Sequence, residues 1–392
     1  MAQAPSKIAA PPIDLNSRRT LAAILYLSVI GPCVFILQPG FVQGLVEQLG
    51  MTEQQAGYVA SAEMWGIAVT TLALIFAAHH YSWRRLIGAF AVLSGVGNLL
   101  CIGQSDLQVL MLLRFIVGIG SGGIISLTFS LAGLTANPDR NFGYIIVWVL
   151  TYGALGLVVM PTAYAHIGMA GVLVFFGLFC LSGLWFVGAL PHSGLEHADT
   201  SGHYEYAKWL SHATLIAILI YNVAVGIIWA YLFLVGTNAG MPEQQVANVL
   251  MVSQIAGIAG AFVVVVFEKR FGRLLPLAVG VLGSAASAYL LVGQIGAREY
   301  WLGVCGFNLL WNLSMPYMLA TAGDFDAKKH TVVFAIAMQM LGLAVGPMIA
   351  ARLLGEANYD AVNRTAAIVF VLSAFVMLPG VLAQRRAHGH SQ

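Results

Sequence analysis

The stretch Gly50-Met51-Thr52-Glu53-Gln54-Gln55 returns as Gly240-Met241-Pro242-Glu243-Gln244-Gln245, displaced by 190 positions in a chain of 392 residues. Each copy opens a long apolar run. Thr or Pro followed by Glu suits the first turn of a helix, where an early carboxylate complements the macrodipole. That chemistry explains part of the likeness, but not two further matches at nearly the same offset. A basic turn closes each run: His80-Tyr81-Ser82-Trp83-Arg84-Arg85 in the first copy, Glu268-Lys269-Arg270-Phe271-Gly272-Arg273 in the second. Further on, Met160-Pro161 is matched by Gly346-Pro347, 186 positions later. An offset of half the chain predicts two halves of the same topology, and parallel repeats of this kind are a transporter architecture.

Composition fixes the medium. Hydrophobic residues make up 59% of the chain and charged residues 9%, with a mean hydropathy of +0.84. A soluble domain carries about 25% charge, so this surface faces lipid. A helical span needs about 20 apolar residues to cross a core of about 30 Å. The breaks delimit twelve: 21–45, 54–78, 86–104, 109–133, 142–165, 169–190, 209–236, 244–267, 274–296, 300–322, 331–353 and 364–383. Strands of a membrane barrel would be about ten residues long and alternate in polarity, which these runs do not. The fold class is therefore an all-α membrane protein with twelve transmembrane helices in two pseudo-symmetric six-helix bundles. The expected organisation is a tail 1–20, a first bundle 21–190, a linker 191–207, a second bundle 208–384 and a tail 385–392.

Loop charges orient the chain by the positive-inside rule. With the N-terminus in the cytoplasm, Lys7, Arg18, Arg19, Arg84, Arg85, Arg140, Lys208, Lys269, Arg270, Arg273, Lys328, Lys329, Arg385 and Arg386 all fall inside. Arg298, Arg352 and Arg364 fall outside, and Arg114 is intramembrane. Both termini are thus expected in the cytoplasm, in a bacterial inner membrane. Residues 1–20 are too polar, and the run after them too long, for a cleaved signal. The four cysteines lie singly in separate spans and give no disulfide or metal spacing. Neither cofactor, metal nor nucleic-acid partner is expected, and the chain is read as a monomer.

Here the chain resembles the major facilitator superfamily over essentially its full length. The family's basic turn between helices two and three has the pattern G-x-L-x-D-R-x-G-R-R. Aligned on Arg84 and Arg85, His80 stands in the acidic position and Trp83 in the glycine position. In the second half, Glu268, Arg270, Gly272 and Arg273 lie closer to the pattern. The resemblance implies that these turns latch helices during the conformational cycle. The run Arg114-Phe115-Ile116-Val117-Gly118-Ile119-Gly120 is similar to the family's R-F-x-x-G-x-G motif. Gly156 with Pro161, and Gly342 with Gly346 and Pro347, echo a motif of family exporters, the first copy in degraded form. Gly118 and Gly122, like Gly342 and Gly346, have the small-x₃-small spacing that lets helices approach closely.

Within the spans two charges are firmly intramembrane, Glu63 and Arg114. Each costs about 2.5–3.5 kcal/mol at a helix centre, so it should face a cavity or a partner. At a rise of 1.5 Å per residue, Glu63 is roughly 15 Å deep and Arg114 roughly 8–9 Å, which brings a direct pair within reach. Two readings are open: an ion pair that locks the first bundle, or a proton site. Burial disfavours a carboxylate while a guanidinium favours it, so Glu63 could load and release a proton. Arg114 stays charged throughout and could trade Glu63 for an anionic substrate.

Elsewhere the spans offer neutral polar and aromatic side chains. The first span has Gln38 beside Pro39-Gly40, where a kink is expected. The seventh has Asn222 and Trp229, the tenth Asn308, Trp311 and Asn312, the eleventh Gln339. Asn308 and Asn312 are one turn apart and share a face. In the family, helices one, four, seven and ten line the central cavity, so these residues with Arg114 outline a substrate pocket. The expected function is secondary active transport of a small organic solute, amphipathic or monoanionic, by alternating access and coupled to protons. Uptake and efflux are both open. The alternative is a transporter-like receptor or assembly partner that does not transport. No nucleophile–base set lies in the spans and no phosphate-binding loop is present, so neither an enzyme nor an ATP-driven pump is expected.

Overall fold

The computed structural model describes residues 14–191, 208–267, 272–325, 330–354 and 359–389, all helices and short turns. Its helices are α1 (Arg18–Ile30), α2 (Cys33–Ile36), α3 (Gln38–Leu49), α4 (Glu53–Ala77), α5 (Trp83–Leu100), α6 (Leu107–Gly133), α7 (Pro138–Ser182), α8 (Leu184–Val187), α9 (Lys208–Trp229), α10 (Leu232–Asn238), α11 (Glu243–Phe267), α12 (Leu274–Tyr289), α13 (Ala297–Gly323), α14 (His330–Leu353) and α15 (Tyr359–Gly389). They form the twelve spans. α1 to α3 make the first, and α9 with α10 make the seventh. α7 holds the fifth and most of the sixth, divided at Gly168, whose φ of 62° no regular helix accommodates. That break falls in the gap expected between 165 and 169.

The first span is broken twice. The kink expected at Pro39 lies just before it: Leu37 is non-helical (φ −95°, ψ 10°) and Gln38 and Pro39 begin a new helix. Proline is tolerated there because first-turn N–H groups lack intrahelical partners. A second break, at Gly31-Pro32, separates α1 from α2.

The repeat extends to backbone conformation. Gly50 and Gly240 are both left-handed (φ 66° and 82°), and so are Gly103 and Gly293 (φ 76° and 88°), each pair 190 positions apart. Such turns favour glycine, which has no Cβ to clash. Helix starts follow the same register, Glu53 with Glu243 and Leu107 with Ala297. Thr52 caps α4 and Gln55 reaches back to its backbone, a reciprocal capping box.

Equivalent helices pack equivalently. α4 lies on α6 and α11 on α13 within the halves; across the seam α4 meets α14, α7 meets α11 and α3 meets α10. The outer surface carries exposed Phe76, Leu155, Phe262, Ile368 and Phe375, while Glu63, Arg114, Asn222, Gln254 and Asn308 are buried. Charge inside and bulk hydrophobes outside is the arrangement lipid imposes. Hydrogen bonds that cross the seam include Ser61 Oγ to Ala344 O (2.7 Å), Trp229 Nε1 to Phe35 O (3.0 Å), Tyr231 OH to Glu53 O (3.2 Å) and Gln244 Nε2 to Val158 O (3.1 Å). These run from mid-span toward the Gly50/Gly240 end and hold that end shut.

Candidate functional site: a buried ion pair and a polar seam

Arg114 enters from the second turn of α6. Its Nη2 donates to Glu63 Oε2 of α4 at 2.5 Å, and the two side chains are 0% and 3% exposed. Its Nη1 donates to Asn98 Oδ1 of α5 at 2.7 Å, and Asn98 is itself tied to Ser94 O at 2.8 Å. The guanidinium carbon also lies 4.8 Å from the centre of the Phe41 ring on α3, a cation–π position. One cation thus joins the first four spans. The direct pair expected within reach is made, with Asn98 as a partner that sequence reading missed.

Close helix approach sets the pair's geometry. A Cβ on Gly118 would sit 2.0 Å from Glu63 O, and one on Gly122 would sit 2.6 Å from Ile67 O. α4 and α6 therefore touch backbone to backbone, and the Arg114 side chain has only to cross one helix radius. In the other half a Cβ on Gly346 would meet Gly226 at 2.6 Å, next to Pro347. Pro161 follows Met160, whose Sδ fills the space in front of Gly40.

In the second half Ser253 stands 190 positions after Glu63 and Val304 stands 190 after Arg114, so the charge pair is not repeated. Ser253 Oγ instead accepts from Asn308 Nδ2, one turn beyond Val304, at 2.9 Å. Asn312 Nδ2 donates back to Asn308 O at 2.9 Å. Trp311 stacks at a tilt between Phe307 (5.7 Å) and Trp229 (5.8 Å). Trp229 joins that aromatic group to the first half through Phe35 O. Asn222 donates to Ile218 O at 2.8 Å and faces Met315 Sδ at 3.6 Å. Gln339 is half-buried on α14.

Several buried polar atoms within the spans have no partner among the described residues: Gln38 Nε2, Asn222 Oδ1, Asn308 Oδ1, Tyr152 OH and Gln254 Oε1. An unsatisfied buried polar atom costs about 1–3 kcal/mol, so such a set marks where a polar guest would be welcomed. Gln254 and Tyr152 were not among the expected site residues. Gln254 lies against α7, its Cδ 3.1 Å from where a Gly153 Cβ would be. The signal was an amide in the middle of the eighth span.

At the opposite end the two basic turns differ. Trp83 Nε1 donates to Ala78 O at 2.8 Å and braces the turn that ends at His80. Arg84 is half-buried near Gly188, and Arg85 is exposed. In the second turn Arg273 donates to Asp324 (2.5 and 3.3 Å), Ala320 O (3.2 Å) and Gln384 Oε1 (3.2 Å), joining α12, α13 and α15. Gly272 before it is left-handed at φ 58°. Glu268 and Arg270 lie outside the described residues.

Two repeated bundles, a charge buried in one and a polar seam between them define a multi-pass transporter fold. The sequence profile of the Major Facilitator Superfamily matches residues 23–338, and the chain belongs to that family. It is 24% identical over 179 residues to the galactose-proton symporter of Escherichia coli K12, a match covering 43% of this chain and 38% of the symporter. Among solved structures it is similar to the nucleoside transporter NupG (TM-score 0.73, 12% identity, covering 92% of this chain and 99% of that one). It is equally similar to a D-xylose-proton symporter (TM-score 0.73, 13% identity, covering 92% and 96%).

Proposed function

We propose that this protein is a secondary active transporter that carries a small organic solute across a bacterial cytoplasmic membrane by alternating access, with both termini in the cytoplasm and with proton coupling through Glu63. The observation that carries the reading is the enclosed Glu63–Arg114 pair in only one of two repeated halves. A tie between these two helices needs no charge: in the second half Ser253, the counterpart of Glu63, is held by Asn308, one turn beyond the counterpart of Arg114, Val304. A retained carboxyl at this depth instead supplies a group that can take up a proton when the cavity wets.

Arg114 gives Nη1 to Asn98 and Nη2 to Glu63, its Nε has no partner among the described residues, and the side chain is fully enclosed; that enclosure disfavours a monoanion and favours a neutral polar solute. The names of the similar proteins, sugar–proton symporters and a nucleoside transporter, support a hydroxyl-rich one. Gln38, Asn222, Gln254, Asn308 and Asn312 would give the hydrogen bonds, and Trp229 and Trp311 an apolar face. Gly118, Gly122, Gly346, Pro161 and Pro347 would set the helix contacts that persist or slide as the halves rock.

The test is reconstitution in liposomes with candidate sugars and nucleosides under an imposed pH gradient. Uphill accumulation is expected for the wild type; Glu63→Gln should lose it while keeping solute exchange. Accumulation undiminished in that variant would exclude Glu63 as the coupling group.

A further inference from the structure

The Glu63–Arg114 pair is held short of its strongest form. A guanidinium and a carboxylate that meet freely form a fork of two parallel hydrogen bonds. Here one bond is made, Arg114 Nη2 to Glu63 Oε2. Glu63 Oε1 accepts none among the described residues, and Arg114 Nε, a buried donor, has no acceptor among them either. Nε and Nη2 lie on one edge of the group, so turning the guanidinium would pair the two idle atoms. Asn98 holds it turned away.

Asn98 is fixed in place and in orientation. Its Nδ2 donates to Ser94 O at 2.8 Å, and a carbonyl can only accept, so Oδ1 must be the atom that meets Arg114 Nη1 at 2.7 Å. α5 cannot draw back from α6 either. Ser94 Oγ donates to Val117 O at 3.1 Å, and a Cβ on Gly120 would stand 2.6 Å from Phe90 O.

The internal repeat supplies an independent observation. The offset of 190 holds on both sides of α5, at Gly50/Gly240 and at Gly103/Gly293. In that register Glu63, Arg114 and Asn98 become Ser253, Val304 and Ala288, whereas Ser94 stays serine, as Ser284. The amide is lost together with the charges, while the serine beside it is kept. Asn98 thus goes with the pair rather than with the packing of α5 on α6.

We propose that Asn98 is a positioning residue: it keeps Arg114 to a single bond with Glu63 and so leaves Glu63 Oε1 free to take the coupling proton. The proposal rests on the reading of Glu63 as the coupling group. A proton on Oε1 leaves the bond from Arg114 to Oε2 in place, and Asn98 remains a second acceptor, so the buried cation is not stranded. Arg114 is the one charged residue of α6, and Cys101 past α5 and Cys33 of α2 are the titratable groups beside the pair. The other helices packed on α4 carry theirs toward their ends, Glu47 on α3, and His330 and Arg352 on α14; α4 itself adds Glu53 and Tyr58 in its first turns.

The experiment is an infrared pH titration of the protein in lipid vesicles from pH 4 to 9. It follows the carbonyl band of protonated Glu63, assigned in each background by its loss in Glu63→Gln. Asn98→Leu keeps the size of the side chain but offers no acceptor, so the fork forms; its midpoint should move about one unit toward acid, tenfold in proton affinity. Asn98→Asp sets a second carboxylate against the same guanidinium, and its midpoint should move about one unit toward alkali. Opposite shifts separate positioning from packing, since lost packing would move both variants the same way. Should Asn98→Leu not fold, the alkaline shift of Asn98→Asp decides alone. Unmoved midpoints, shifts in one direction, or a wild type without a titrating Glu63 band would overturn the proposal. If those midpoints stay unmoved while Glu63→Gln loses solute accumulation, the role of Asn98 falls and Glu63 stands as the coupling group. Accumulation kept in Glu63→Gln would instead overturn the coupling reading beneath the proposal.

Discussion

Ser253 occupies in the second half the position that Glu63 occupies in the first. Each bridges its helix to the next-but-one span, Glu63 through Arg114 and Ser253 through Asn308. The same two helices are thus tied once with charge and once without, the neutral tie using Asn308 one turn beyond Val304, the counterpart of Arg114.

The first prediction concerns stability. Arg114→Met leaves the enclosed Glu63 carboxylate alone, and removal of one partner from a buried pair costs about 3–5 kcal/mol. The single variant should show a large fall in Tm in detergent. The double variant Glu63→Gln, Arg114→Met removes both charges and should recover most of that fall. Equal destabilisation of single and double variants would mean that packing rather than charge is lost.

The second concerns helix approach. Gly118→Ala puts a Cβ against Glu63 O with no room, and overpacking costs about 1–3 kcal/mol. Gly143→Ala, also in a helix and with nothing within 4 Å of the added Cβ, should instead be neutral or slightly stabilising, by up to about 1 kcal/mol. Thermal unfolding of the two variants side by side checks the contrast.

The third concerns the seam. Gln254→Ala and Gln38→Ala each remove an amide with an unpartnered atom. Neither should lower Tm by more than a few degrees, yet each should weaken solute binding about tenfold, about 1.4 kcal/mol. Ligand-induced thermal shift measures both quantities in one titration.

The fourth concerns orientation. With Cys33, Cys101, Cys180 and Cys305 replaced by alanine, Ser105→Cys and Gln294→Cys, at exposed loop positions, should react with a membrane-impermeant maleimide in intact cells, while Arg85→Cys should react only after the membrane is opened. The reverse pattern would invert the topology inferred from the loop charges.

Much of the fold is legible in the sequence because lipid leaves so few solutions. Twelve apolar runs, one repeat offset and the Glu53/Glu243 helix starts are one-dimensional features. The two breaks of the first span are less so. Gly31-Pro32 and Pro39-Gly40 both offer to bend it, and packing against α6 and α7 uses both. The ion pair is legible because two isolated charges at similar depth have few partners. Asn98 and Gln254 were harder to find, since an amide in an apolar run has no periodicity and only three dimensions show which one meets a neighbouring helix.

The backbone contact of α4 with α6 at Gly118 and Gly122 has a consequence for the proposed role of Glu63. The two helices belong to one bundle and carry Glu63 and Arg114 as a single unit. With Glu63 as the coupling group, what would have to alternate is the water that touches it, and the barrier to proton leak would be a question of hydration rather than of carboxyl movement.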